Sequence, residues 1–267
     1  MECFLEHNID FSEYITGNRF IDICDQIGSV FCKTDFLHEC HGKKIKTLVT
    51  HNSDYPINME RFSYLCEYVQ KWFAQNKEVD SELVESIPIG LENMVLRVSP
   101  ASRLGIHSSQ IPDAIEKARY IDKLAKQKKS HDKLVYLNMN PNTYRQERQS
   151  VIDRFKDKNW VTFERGLGWH EYYESIAEHK FVFSPRGNGV DCHRTWEALY
   201  LRTIPIVRSS INMSHFSDLP ILFINKWEEI NYNYLKEKYD EMTRKMFCLD
   251  KMRISYWRER IKGVLSE

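Results

Sequence analysis

No stretch of the 267 residues stays apolar over the roughly 18 positions that a membrane-spanning helix needs. Lysine and arginine together number 38, and so do aspartate and glutamate. The basic excess of a general nucleic-acid binder or membrane-surface protein is therefore missing, and any anion site must come from locally placed basic residues. The cysteines number seven and show no CxxC spacing, which argues against a disulfide framework and a zinc ribbon. Reduced thiols are the simplest account. His38, Cys40 and His41 crowd one short loop, which fits coincidence better than a metal site. The opening MECFLEHNIDF has no basic n-region and no long apolar core, so no signal peptide is read and a cytoplasmic location is expected. GxGxxG, GxxxxGK[ST] and DxD are all absent, and HEYYE is not HExxH.

What remains is an ordinary globular composition, 42% hydrophobic and 28% charged, enough for a sizeable core. Short apolar runs alternate with amphipathic segments, the order of βα units around parallel sheets. Ser29 to Leu37 and Lys44 to Asn52 read as strands. Asn58 to Asn76 reads as one helix, on the spacing of Phe62, Leu65, Tyr68, Val69, Trp72 and Phe73. A strand-like core then ends at Gly90, and the lysine-rich stretch from Ala101 to Ser130 holds a helix and a boundary. A second series runs through strands at Lys133 to Asn140, Trp160 to Arg165, Phe181 to Pro185, Thr203 to Val207 and Pro220 to Trp227. Helices are predicted near Tyr144 to Lys156, His170 to Lys180 and Asp191 to Leu201, and from Tyr232 onward.

One stretch carries chemistry. In FSPRGNGVDCHRTWEALYLRTIPIV a strand stops at Pro185, Arg186 to Gly189 makes a turn, and a helix follows. Gly187 and Gly189 permit positive φ and close backbone approach, and Asp191 is placed to cap the helix. Loop amides beyond the carboxyl end of a parallel strand suit an anionic ligand. Arg186 and Arg194 could add bidentate bonds to phosphate oxygens. His193 and Glu197, four apart, share a helix face. A carboxylate there suits ribose hydroxyls better than phosphate, so a nucleoside diphosphate fits better than bare phosphate. A surface turn with Arg194 paired to Asp191 or Glu197 is the plainer alternative.

This stretch resembles the donor-binding motif of exostosin-like glycosyltransferases, a group that includes small enzymes from bacteria and large DNA viruses. THNSDYPI, WFAQN and IPIGLEN, between Thr50 and Asn93, are similar to segments of such proteins. The resemblance implies an α/β, GT-B-like fold of two Rossmann-like lobes. The lobes would be an acceptor side over 1–125 and a donor-binding side over 126–250, with a C-terminal helix over 251–267 crossing back. It implies transfer from a nucleotide-diphosphate sugar, a UDP-sugar or related donor, to a glycan or glycoprotein acceptor, with inversion. No nucleic-acid partner, cofactor or essential metal is expected. Arg186 and Arg194 would bind the diphosphate with Gly187, Gly189 and His193 beside them, and Glu197 would bind ribose or sugar hydroxyls. Arg148 would reach the phosphates from the neighbouring loop, and Arg165 and Gly166 would flank the base. Arg202 departs from the pattern, which has glycine there.

Transfer with inversion needs a base for the acceptor hydroxyl. Asp54, at a strand end, is the first choice and Asp35, in KTDF, the second; an Asx-type turn before Pro56 is the alternative for Asp54. The competing functional class is a catalytically inert module that binds a sugar nucleotide or glycan. A phosphatase or kinase is disfavoured by the missing P-loop and paired-aspartate motifs.

Overall fold

Unbroken apolar runs become central strands, buried on both faces between parallel neighbours. The computed structural model describes residues 1–93, 111–127 and 130–266. Its first elements are β1 (Glu2–Cys3), α1 (Gly17–Ile27), β2 (Val30–Lys33), β3 (Ile45–His51), α2 (Met59–Leu65), β4 (Val69–Ala74) and β5 (Val84–Ser86). Next come α3 (Ile111–Ala125), β6 (Lys133–Leu137), α4 (Arg145–Phe155), β7 (Val161–Phe163), α5 (Trp169–Glu178), β8 (His179–Phe183), α6 (His193–Tyr200), β9 (Ile204–Arg208), α7 (Ile211–Ser214) and β10 (Leu222–Ile224). The chain continues through α8 (Tyr232–Arg244), β11 (Met246–Phe247) and α9 (Ile254–Ser266).

Two parallel sheets result, so the molecule is α/β. One has four strands in the order β2-β3-β4-β5, the other five in the order β10-β9-β8-β6-β7. Val49 and Phe73 of the first, with Ile87 just after β5, join the same core as Val135 and Phe181 of the second and Trp196 of α6. A smaller cluster around Leu48, Leu65 and Trp72 fills the other face of the first sheet. The stripe Ala114, Ala118, Ile121 and Leu124 buries α3 against α5 and α6. The final helix, α9, packs on α1 and β3 with Trp257 and Ile261 fully buried. Arg260 holds Glu85 of β5 through two bonds of 3.1 Å, and Lys46 Nζ donates to the Leu265 carbonyl at 2.7 Å.

Several expected boundaries move. The single helix over Asn58 to Asn76 is instead α2, a turn at Cys66 to Tyr68, and β4. Val69, Trp72, Phe73 and Ala74 are all buried because β4 lies between β3 and β5. Burial on both faces erases the strand alternation and leaves a spacing that mimics a helix. The run from Ser29 to Leu37 is strand only as β2, and then turns through a 3-10 segment, Thr34–Glu39. The segment after Tyr232 is not one helix: β11 interrupts it by pairing with β1. The lysine-rich stretch is described from Ile111, and its earlier part lies outside the described residues. Among the described residues no helix is long and apolar enough to cross a membrane.

Candidate functional site

In the five-stranded sheet the order reverses between β6 and β8. The loops leaving the carboxyl ends of two such strands diverge to opposite faces and open a crevice, where ligands of doubly wound sheets bind. The loop after β6 leads to Arg148, in the first turn of α4; the loop after β8 is Arg186-Gly187-Asn188-Gly189. Arg148 is buried and joins them: Nε donates to the Arg186 carbonyl at 2.8 Å and Nη1 to the Asn140 carbonyl at 3.1 Å. Burial, and then the like charge of Arg194, push its guanidinium below the ordinary range. Neither Gly187 nor Gly189 uses the positive φ anticipated for them. They are needed for approach: a Cβ would lie 3.1 Å from Arg148 Nη2 at Gly187 and 2.6 Å from Asn76 Nδ2 at Gly189.

Two further guanidinium groups border this turn. Arg186 lies over the Tyr144 ring, 4.6 Å from its centroid, and its Nη2 donates to the Asn188 carbonyl at 3.1 Å. Its Nη1 approaches Glu78 at 3.5 Å, and its Nε is buried without a hydrogen-bond partner. Arg194 donates from Nε to the Tyr172 hydroxyl at 3.2 Å, while its Nη1 is likewise buried and unpartnered. A buried donor left unpaired is costly, so unsatisfied cationic N–H groups beside a glycine turn suit an anion. Glu197 is buried, and its carboxylate accepts from Tyr172 at 3.1 Å and Tyr173 at 3.0 Å. Burial pushes that carboxyl up, against the opposing charges of His193 and Arg194.

A cleft of about 760 Å³ gathers the carboxyl ends of both sheets. Asp35 follows β2, Asp54 follows β3 and Gln75 follows β4; Asn188 and His193 enter from the β8 side. Asp35 and Asp54 are exposed to it. Asp35 pairs with Lys33 at 3.3 Å, and Asp54 accepts from Asn188 Nδ2 at 3.2 Å, across the cleft. His193 donates from Nδ1 to the Gly90 carbonyl at 2.7 Å. His51 is different. The Asn52 amide donates to its Nδ1 at 2.8 Å, so its Nε2 donates to the Pro88 carbonyl at 3.0 Å. Burial holds its pKa down to about 4, so it is a neutral clamp.

Arg165 and Gly166 lie in the exposed loop after β7; like Arg148, Arg186, Gly187, Gly189, Arg194 and Glu197, they do not line this cleft, which of the expected donor residues only His193 reaches. Gly166 has φ of 71° and Arg165 covers the Phe163 ring. Asp191 does not cap α6, whose first residue it precedes by two. It is buried and accepts from the Ile89 amide at 2.8 Å, the Cys192 amide at 2.8 Å and Trp196 Nε1 at 2.9 Å. It thus ties the β5 loop to α6, and burial raises its pKa to about 6. Asn76 completes the seam with φ of 59°, accepting from the Asp191 amide at 3.0 Å and donating to the Ser53 carbonyl at 3.0 Å. Reading β4 as helix hid Gln75 and Asn76; two amide side chains closing a β-rich run were the available signal. Among the described residues no group of three or more His, Cys, Asp or Glu converges as a metal site would. No protein-family model matches the chain, and no curated protein matches it.

Proposed function

We propose that the protein is a glycosyltransferase that moves a sugar from a nucleoside-diphosphate donor, a UDP-sugar by preference, to a glycan acceptor. One observation carries the reading. Two orphaned guanidinium N–H groups, on Arg186 and Arg194, flank the glycine turn at the strand-order reversal, beside a cleft that holds carboxylates. The diphosphate would take those donors, with Arg148 holding the turn's carbonyl outwardly fixed. The two sheets would then act as the lobes of a GT-B arrangement, donor on the five-stranded side and acceptor on the four-stranded side.

In the reaction the acceptor hydroxyl oxygen bonds to the anomeric carbon as the bond from that carbon to the diphosphate oxygen breaks. The carboxylate of Asp54 takes the hydroxyl proton, with Asp35 the second candidate. The leaving diphosphate would carry its charge onto the unpartnered N–H groups of Arg186 and Arg194. Glu197 orients Arg194 through the shared Tyr172 hydroxyl and keeps lone pairs for a ribose hydroxyl.

A thermal-shift screen of UDP- and GDP-sugars, followed by product detection with the donor that binds, tests the reading. A true donor at about 100 times its Kd stabilises by roughly 2.7 kcal/mol. Stabilisation by no nucleotide sugar, or binding without transfer or hydrolysis, sinks it.

A further inference from the structure

A second depression of about 660 Å³ lies along the 3-10 segment Thr34–Glu39 and α2. It shares Asp35 and Tyr55 with the main cleft, so the two adjoin. Its size falls in the range of roughly 300–1,000 Å³ typical of small-molecule sites. Its surroundings are unusual for solvent. Tyr55 is 52% exposed, Met59 61% and Tyr64 42%, all within ten positions of one another. Each tyrosine is braced from one side: Arg61 lies 4.9 Å from the Tyr55 centroid, and His41 stacks on Tyr64 at 4.5 Å.

From this groove we infer an acceptor subsite for a neutral oligosaccharide, whose chain end passes Tyr55 and Asp35 into the cleft. A pyranose ring has one face of C–H groups and a rim of hydroxyls. The negative face of a tyrosine ring attracts the former; carboxylates and a guanidinium satisfy the latter. Asp35, Glu60, Arg61 and Tyr64 supply this mixture. The charged lining disfavours a lipid tail, whose burial would desolvate Asp35 and Glu60. Arg61 and His38 stand against Asp35 and Glu60 in the lining, so there is no basic excess to hold a polyanion. The inference rests on the transferase reading for the direction in which the chain end points, and it makes the acceptor several sugar units long.

The test uses the full chain and linear cello-, xylo-, manno- and chito-oligosaccharides of one to four units, titrated by saturation-transfer NMR. One series should gain at least about tenfold in affinity from monomer to tetramer. Tyr64→Ala should lose about that factor, while Tyr64→Phe, which keeps the ring, should retain it. UDP affinity by calorimetry should be the same in both variants, which also shows that they are folded. Equal affinity for monomer and tetramer, binding of none of the series, or an unaffected Tyr64→Ala overturns the subsite. Nucleotide-sugar hydrolysis with no chain-length dependence removes the groove alone. Length-dependent glycan binding with no nucleotide-sugar turnover removes the transferase reading and leaves the groove.

Discussion

Arg148 Nε donates to the carbonyl of Arg186 across 2.8 Å, and so fastens the helix after β6 to the turn after β8. One arginine thereby spends its hydrogen bonds on backbone, while Arg186 and Arg194 keep N–H groups unspent. The division separates a group that shapes the turn from groups that can meet a ligand.

Arg186→Ala should weaken UDP binding while leaving the fold intact, since Arg186 is only partly buried and its pairing with Glu78 is long at 3.5 Å. Loss of a charge-assisted hydrogen bond costs about 1.5–3 kcal/mol, or roughly one to two orders of magnitude in Kd. Calorimetry decides; unchanged affinity removes Arg186 from the site.

Glu197→Gln should lower both donor turnover and stability. The amide can accept from one of Tyr172 and Tyr173 but presents N–H to the other. One buried hydroxyl left without an acceptor costs about 1–3 kcal/mol, and Arg194 loses the partner held by Tyr172. Urea midpoints and initial rates measured together check this. Full activity at unchanged stability would show that the tyrosine pair orients nothing.

Gly189→Ala should disrupt the seam between the sheets. Its Cβ would fall 2.6 Å from Asn76 Nδ2, an amide already fixed by the Ser53 carbonyl and the Asp191 amide. Overpacking of that kind costs about 1–3 kcal/mol. The shift in urea midpoint measures it. Gly28→Ala, where nothing lies within 4 Å but φ is 74°, should cost only the left-handed strain.

Arg202 occupies a left-handed conformation, φ of 63°, where glycine would be relaxed by about 1–2 kcal/mol. Its Nε and Nη2 donate to the His7 carbonyl at 3.1 and 2.6 Å. Charge-assisted bonds contribute about 1.5–3 kcal/mol, so they outweigh the strain. Arg202→Gly should therefore destabilise slightly despite relieving the backbone. A more stable glycine variant in urea unfolding would reverse this order.

Acidification from neutral pH to about 4 should destabilise the protein. His7 and His51 are buried, and burial lowers each from 6.5 to about 4. Depressed values mean that their stability is fully present above the unfolded value and is lost as pH falls through the folded one. Each accounts for about 3 kcal/mol. Asp191 acts oppositely: raised from 3.8 to about 6, it favours the fold below the unfolded value and loses that contribution as pH rises. At about 3 kcal/mol it offsets only one histidine. Urea unfolding between pH 4.5 and 7.5 should show stability rising with pH; a flat or falling profile contradicts the burial of the two imidazoles.

The strands of the second sheet were legible because each apolar run ends at a proline, glycine or polar break. FVFSP and TIPIV are examples. The turn at Arg186 and its reach toward Arg148 could also be anticipated, since both follow strand ends. Strand order was not legible, and with it the reversal that brings those two loops together. Nor was β4, because burial on both faces removed its alternation. Asp191 was read as a cap because capping is the common local use of aspartate before a helix. Its actual partners, Ile89 and Trp196, include one that is 102 positions away and invisible to local rules. Glu197 was placed toward a ligand by helical phase and by resemblance, and the tyrosines of α5 that face it lie on an element whose packing neither reports.

The packing of α9 on the first sheet also sets an order of events in synthesis. Glu85 is nearly buried, and the guanidinium that neutralises it belongs to Arg260, 175 positions later. Until that residue leaves the ribosome, Glu85 has Lys71 of β4 at 3.4 Å but not its bidentate partner, and α1 and β3 lack the cover of Trp257 and Ile261. The N-terminal half therefore cannot mature as a finished unit ahead of the rest. It waits for α9 to emerge, and a truncation that removes α9 should be felt first in the part of the chain made earliest.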